Sequence, residues 1–227
     1  MPRQVDHDER RAQLSLAVWH VVVEQGLDGL TLRSVAAAAG CTTGRVAHYF
    51  KDKQALLTHA RDVMHRRMAA RIDALPSQPD ARARLRAVLL EGLPLDGDRM
   101  LGSTVWAHFL LAARTDPVLR KEHTLRHERW VARLTGLLRS AYEESTVDGV
   151  ADGEVEGRVR CLVACLDGLA LSAVATPGAY PPEMVERVID VQLNLLIPEG
   201  SGDRADRRGG TGRRPATAAG RRTARGA

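Results

Sequence analysis

Three observations predict an all-α protein. Apolar residues are 44% of the 227 but aromatic ones only 4%, so any core must be aliphatic and alanine-rich, which suits helices better than sheets. Segment after segment repeats its apolar residues at intervals of three and four, the period of a helix with one buried face. No stretch alternates polar and apolar residues as a half-buried strand would, and no internal repeat occurs.

The first helix is expected over about 8–25, where Leu14, Ala17, Val18, Val21 and Val22 share one face and Gly26 ends the run. Asp8 and Glu9 suit the positive end of its dipole. Trp19 reads as a packing residue. A second helix follows Thr31, whose hydroxyl can cap it, and stops at Gly40. Thr42 offers another cap for a short helix over 43–50. After Lys53 a long helix runs to about residue 74, closed by Pro76 and Pro79. Its apolar stripe is Leu56, Leu57, Ala60, Val63 and Met64; Arg61, Arg66, Arg67 and Arg71 read as a solvated basic face. Further helices are expected over about 80–93, 99–114, 117–144 (opened by Pro117), 154–175 and 182–196, with a glycine-containing loop over 148–153.

The stretch TLRSVAAAAGCTTGRVAHYFKDK organises the rest. Two short helices held apart by a glycine-led turn form a helix-turn-helix, whose second helix can lie in the DNA major groove. Val35, Ala36, Ala39, Cys41 and Val46 have the spacing to pack the pair together, leaving Arg33, Thr43, Arg45, Ala47 and His48 outward. Arginine matches the paired acceptors of a guanine edge, discriminating by about 1–3 kcal/mol. Tyr49 and Lys53 stand where a hydroxyl and an ammonium can hold phosphates.

The order GCTTGRVAHYFKDKQALL resembles the signature of the TetR family of bacterial repressors. The segments WAHFLLAARTDPVLRKEHTLRHERWVARL and CLVACLDGLALSAV resemble the C-terminal domain of that family's BetI-like branch. The resemblance implies an N-terminal three-helix helix-turn-helix domain followed by a helical ligand-binding and dimerisation domain. It makes Arg33, Thr43, Gly44, Arg45 and His48 candidates for base contact, and Thr31, Tyr49 and Lys53 candidates for phosphate. Ala47 departs from the pattern if a larger side chain is expected there. The implied division is 1–53 for DNA binding, 54–75 as a linker helix, 76–197 for effector binding and dimerisation, and 198–227 as a disordered, Arg-rich tail.

Two sets of body residues stand out. Met100, Trp106, Phe109, Trp130 and Asp167 are candidates to line an effector pocket beside the linker helix, although each aromatic taken singly could equally be core. Aromatic faces with a carboxylate can cradle a cation, and the BetI resemblance suggests choline. Cys161, Cys165, Gly168 and Ser172 form a ridge of small side chains; Val185, Val188, Ile189, Gln192 and Leu196 form a stripe on the last helix. Two copies of each helix would make a four-helix bundle across a two-fold axis. The alternative is that both stripes face the chain's own core.

Charge agrees with this division. Residues 1–75 carry a net +3, residues 76–200 a net −4 and the tail from 201 a net +6. The tail has too little apolar surface to fold and reads as a solubilising segment, or else as a non-specific tether to polyanions. His123 and His127 lie four apart on one helix, but with no third ligand they read as a solvated face. The three cysteines form neither a metal spacing nor a disulfide framework, and Cys161 and Cys165 read as buried small residues. No phosphate loop, nucleophile elbow or metalloprotease helix is present, so no enzymatic activity, cofactor or metal is expected. Without an apolar signal or a run of about eighteen apolar residues, the expectation is cytoplasmic, with no membrane partner. The expected function is a ligand-responsive repressor binding a palindromic operator as a homodimer, with double-stranded DNA and an unidentified small-molecule effector as partners. The alternatives are an activator of the same fold, or a helical small-molecule- or partner-binding protein whose head no longer reads DNA.

Overall fold

The computed structural model describes residues 2–145 and 150–197, and they are helical throughout, with no strand among them. The elements are α1 (Pro2–Gln25), α2 (Leu32–Ala38), α3 (Thr43–Tyr49), α4 (Lys53–Asp73), α5 (Ala81–Glu91), α6 (Gly97–Ala112), α7 (Pro117–Glu144), α8 (Asp152–Ala175) and α9 (Pro182–Leu196). The expected limits of the helices over 117–144 and 182–196 hold to the residue. The first helix starts six residues earlier than expected, because its opening turns carry no apolar periodicity to mark them. The expected tail over 198–227 lies outside the described residues, as do 148–149 of the expected loop over 148–153, whose last two residues belong to α8.

Side-chain caps set the helix starts. Thr31 and Ser34 form a reciprocal capping box at α2, and Thr42 Oγ1 accepts from Arg45 N at 3.2 Å. Asp52, Asp80, Asp96 and Asp116 then cap α4, α5, α6 and α7 in turn, each accepting a backbone N–H at 2.7–2.8 Å. A cap of this kind stabilises its helix by about 1 kcal/mol and fixes where the chain changes direction. Gly26 (φ 70°) and Gly40 (φ 61°) hold the left-handed conformation that closes α1 and α2.

Two cores result. The first joins Val18, Trp19 and Val22 of α1 to Val35, Val46 and Phe50, and continues into Leu56, Leu57, Ala60 and Val63 of α4. It also takes in Val105 and Phe109 of α6 and Leu119 at the start of α7. The second gathers Leu85, Val88 and Leu89 of α5 with Leu134, Leu138, Val159, Leu162, Ile189 and Leu193 of α7, α8 and α9. Arg86 of α5 holds α9 through Asp190 (2.5 Å) and Glu186 (3.1 Å). The linker helix α4 belongs to both: its first half packs in the head and Ile72 near its end packs in the body.

The packing corrects several expectations. Ala39 is exposed, because α2 ends at Ala38 before its stripe completes. Arg61 is buried at 2% exposure rather than solvated, and only Arg66 of the four α4 arginines is exposed. Val185 and Ile189 are fully buried in the chain's own core, so they cannot present themselves to a second subunit. Cys161 is exposed rather than buried.

Candidate nucleic-acid interface, effector cavity and pairing face

The candidate DNA-reading residues are all exposed. Only Val46 of α3 is buried, and it anchors the helix to the head. With that one contact fixed, the helical period turns Thr43, Gly44, Arg45, Ala47 and His48 to solvent, and Arg33 of α2 is exposed as well. Nothing lies within 4 Å of where a Gly44 Cβ would sit, so no contact inside the chain requires glycine there. His48 meets the Tyr49 ring edge-on at 5.2 Å between centroids.

The three phosphate candidates differ in how free they are. Thr31 Oγ1 is occupied by the capping box, accepting from Ser34 N at 3.0 Å. Tyr49 is half-buried. Lys53 Nζ donates to Leu27 O at 2.7 Å, tying the start of α4 to the turn after α1; its two other N–H bonds remain for an anion. Lys51, two residues before Lys53 and passed over in the sequence, has a side chain 84% exposed, 3.9 Å from Asp52. Its place in the short Lys-Asp-Lys run was the available signal.

A cavity of about 160 Å³ lies where the two cores meet, walled by α4, α5, α6, α7 and α8 with Trp19 at its edge. Of the five expected lining residues, Trp106, Trp130 and Asp167 are there. Phe109 is not: it is fully buried on the head side, with the Arg61 guanidinium 5.6 Å from its ring centroid. Met100 packs half-buried against the body core and does not line the cavity.

The larger part of the wall went unread in the sequence. Arg61, Met64, His65, Met68 and Arg71 follow one another along a single face of α4, and the polar lining also includes Arg67, Glu91, Asp98, Arg99, Ser103, His123, Arg126 and His127. The signal was the three-and-four spacing on α4, of which Met64 is expected in the apolar stripe and Arg61, Arg67 and Arg71 on a solvated face. His123 and His127 are half-buried cavity residues rather than a solvated face, their ring centroids 5.8 Å apart. Among the described residues no cluster of His, Cys, Asp and Glu could hold a metal ion.

Burial dominates the electrostatics of this wall. Arg61 is pulled down to about 10 by desolvation first and by Arg126 second, and so stays charged at neutral pH. His65 is pushed down to about 3 by burial, then by Arg126, Arg61 and His123, and so is neutral. His123 is lowered and Asp167 raised, each by burial first.

On the outer side of the body, Cys161 and Gly168 are exposed along α8, and Cys165 and Ser172 are half-exposed. Beside them α9 offers Met184, Val191 and Leu195, the last 72% exposed, with Val188, Gln192 and Leu196 partly covered. The apolar stripe that α9 leaves open is therefore rotated from the one expected.

The chain matches two described families. Residues 17–60 match bacterial regulatory proteins of the tetR family, and residues 81–198 match the C-terminal part of BetI-type transcriptional repressors. It is 29% identical over 205 residues to the HTH-type transcriptional regulator PksA of Bacillus subtilis, covering 88% of this chain and 95% of that protein. To the HTH-type transcriptional regulator BetI of Burkholderia thailandensis it is 31% identical over 202 residues, covering 87% and 98%. A crystal structure of a transcriptional regulator from Rhodococcus sp. superimposes with a TM-score of 0.72 at 31% identity, over 82% of this chain and 95% of that one.

Proposed function

The chain belongs to the TetR family of bacterial transcriptional regulators, and from that membership we propose that it represses transcription as a homodimer on a two-fold symmetric operator, released when a small molecule enters the cavity. The observation that carries this reading is α3, a helix anchored by buried Val46 and half-buried Tyr49 and exposed at its other five residues. Arg33, Thr43, Gly44, Arg45 and His48 read base edges, while Thr31, Tyr49, Lys53 and Lys51 hold the backbone. The exposed small residues of α8 and the open stripe of α9 pair with their copies, presenting two α3 helices to successive major grooves about 34 Å apart. Its place of work is the cytoplasm, where the DNA is.

Release runs through α4. This helix packs into the head over Leu56 to Val63 and lines the cavity from Arg61 to Arg71. A ligand that fits one placement of α4 better than another shifts the population of head spacings and lowers operator affinity.

Selection of bound sequences from a random DNA pool tests the reading. The expected result is a two-fold symmetric site, on which Arg45→Ala loses about tenfold to a hundredfold in affinity with little loss on random DNA. Recovery of no symmetric site, or equal loss on both kinds of DNA, overturns it.

A further inference from the structure

Five guanidinium groups face the cavity, and four of them are answered by carboxylates. Arg67 pairs with Asp98 at 3.3 Å, and Arg71 with Glu91 at 2.8 Å and Asp98 at 3.6 Å. Arg99 pairs with Asp96 at 2.7 Å and Glu91 at 3.5 Å, while Arg126 pairs with Asp62 and lies 3.6 Å from Glu122. Arg61 is the exception. It is the most deeply buried of the five, yet its Nη1 donates only to the carbonyl of Leu119 (3.2 Å) and its Nη2 meets His123 Nδ1 (3.2 Å). Its Nε has no partner among the described residues, and neither has Nε2 of His65, one helical turn further along the same face.

Glu122 and Asp62 act on Arg61 only from a distance, and a buried cation is costly where desolvation is not offset by an opposite charge in contact. An incoming anion would supply that charge. A carboxylate seated against Nε and one Nη of Arg61 makes two parallel charge-assisted hydrogen bonds, the pairing for which the guanidinium is shaped. Asp167 at the wall gives a cation a poorer seat: burial drives its carboxyl toward the neutral form, outweighing the opposing pull of His127. The wall also carries large apolar side chains, Trp106, Trp130, Met64 and Met68 among them. Its volume is close to that of a cavity of about 150 Å³ that accepts a single benzene ring.

We propose that this cavity receives a small organic acid, its carboxylate pairing with Arg61 and a body of about one aromatic ring lying between the tryptophans and methionines. The proposal rests on the reading of the cavity as the effector site. It also gives the ligand its effect: a carboxylate on Nε and one Nη of Arg61 competes with whichever partner that Nη holds, Leu119 O or His123, loosening α4 from α7.

The test uses the full chain, with benzoate, phenylacetate and hexanoate as acids, their amides as neutral matches, and choline and benzyltrimethylammonium as cations. Calorimetry reads binding, and the mobility of the selected operator reads release. At least one acid is expected to bind about tenfold or more tightly than its amide and to release the operator. Arg61→Met should abolish acid binding while the operator is still bound, and Arg61→Lys should restore part of it. Where Arg61→Met fails to fold by circular dichroism, the acid–amide comparison on the native chain decides alone. Binding of the cations in place of the acids, equal binding of acid and amide, no acid bound, or unchanged acid affinity in a folded Arg61→Met would each overturn the proposal. Operator binding without acid binding sinks this inference alone; acid binding without a symmetric operator sinks the regulator reading alone.

Discussion

His65 shows what a few buried side chains do to the behaviour of the whole chain. Its imidazole, pushed down to about 3 by burial and by the neighbouring Arg126, Arg61 and His123, refuses a proton that the unfolded chain accepts near pH 6.5. The unfolded state therefore binds more protons below that pH, and stability falls as the pH drops from about 6.5 toward 3, by about 1.4 kcal/mol per unit. His123, lowered for the same reason, adds in the same direction. Urea unfolding at pH 5 should give about 2 kcal/mol less stability than at pH 7, and His65→Gln should remove most of the difference. A native chain equally stable at both values would contradict this. The residues of α3 were legible in the sequence because a short helix with one apolar anchor has only one way to face. Arg61 and His65 were not, since a charged residue at helical spacing looks the same whether its neighbours are water or the rim of a cavity.

At the scale of the element, α9 explains why two of the residues expected to pair with a second copy lie in the chain's own core. Its limits follow from Pro182 and from the end of the apolar run, and both were plain in the sequence. The face was ambiguous because the helix is apolar on two sides: Val185, Ile189 and Leu193 fill the chain's own core, while Met184, Val191 and Leu195 stay open. Periodicity records that two stripes exist but not which one meets a partner. Leu195→Asp alters a side chain that is 72% exposed and should leave the subunit folded. It should weaken self-association at least about tenfold, or 1.4 kcal/mol, as read by sedimentation velocity. An unchanged dimer in this variant would show that subunits meet elsewhere.

For the molecule as a whole, head and body are coupled through a helix that belongs to the cores of both. If a carboxylate in the cavity weakens operator binding by some factor, then saturating operator must weaken carboxylate binding by the same factor. Titrating the acid with and without operator, and the operator with and without acid, should return matching ratios. Unequal ratios would mean that a third state intervenes. The N-terminal motif was plain in the sequence, but the sharing of α4 between two cores depends on contacts far apart in sequence.

Two hydrogen bonds give that sharing a practical meaning. Lys53 Nζ fastens α4 to Leu27 O, and Trp19 Nε1 fastens it again at Ala60 O, 3.1 Å away. The chain from α1 to Val63 is therefore fastened together, and a splice past Val63 keeps both bonds where one at the motif's last lysine loses the second. A hybrid regulator joined there also needs a sensor that restores the apolar cover that Val105, Phe109 and Leu119 give the head.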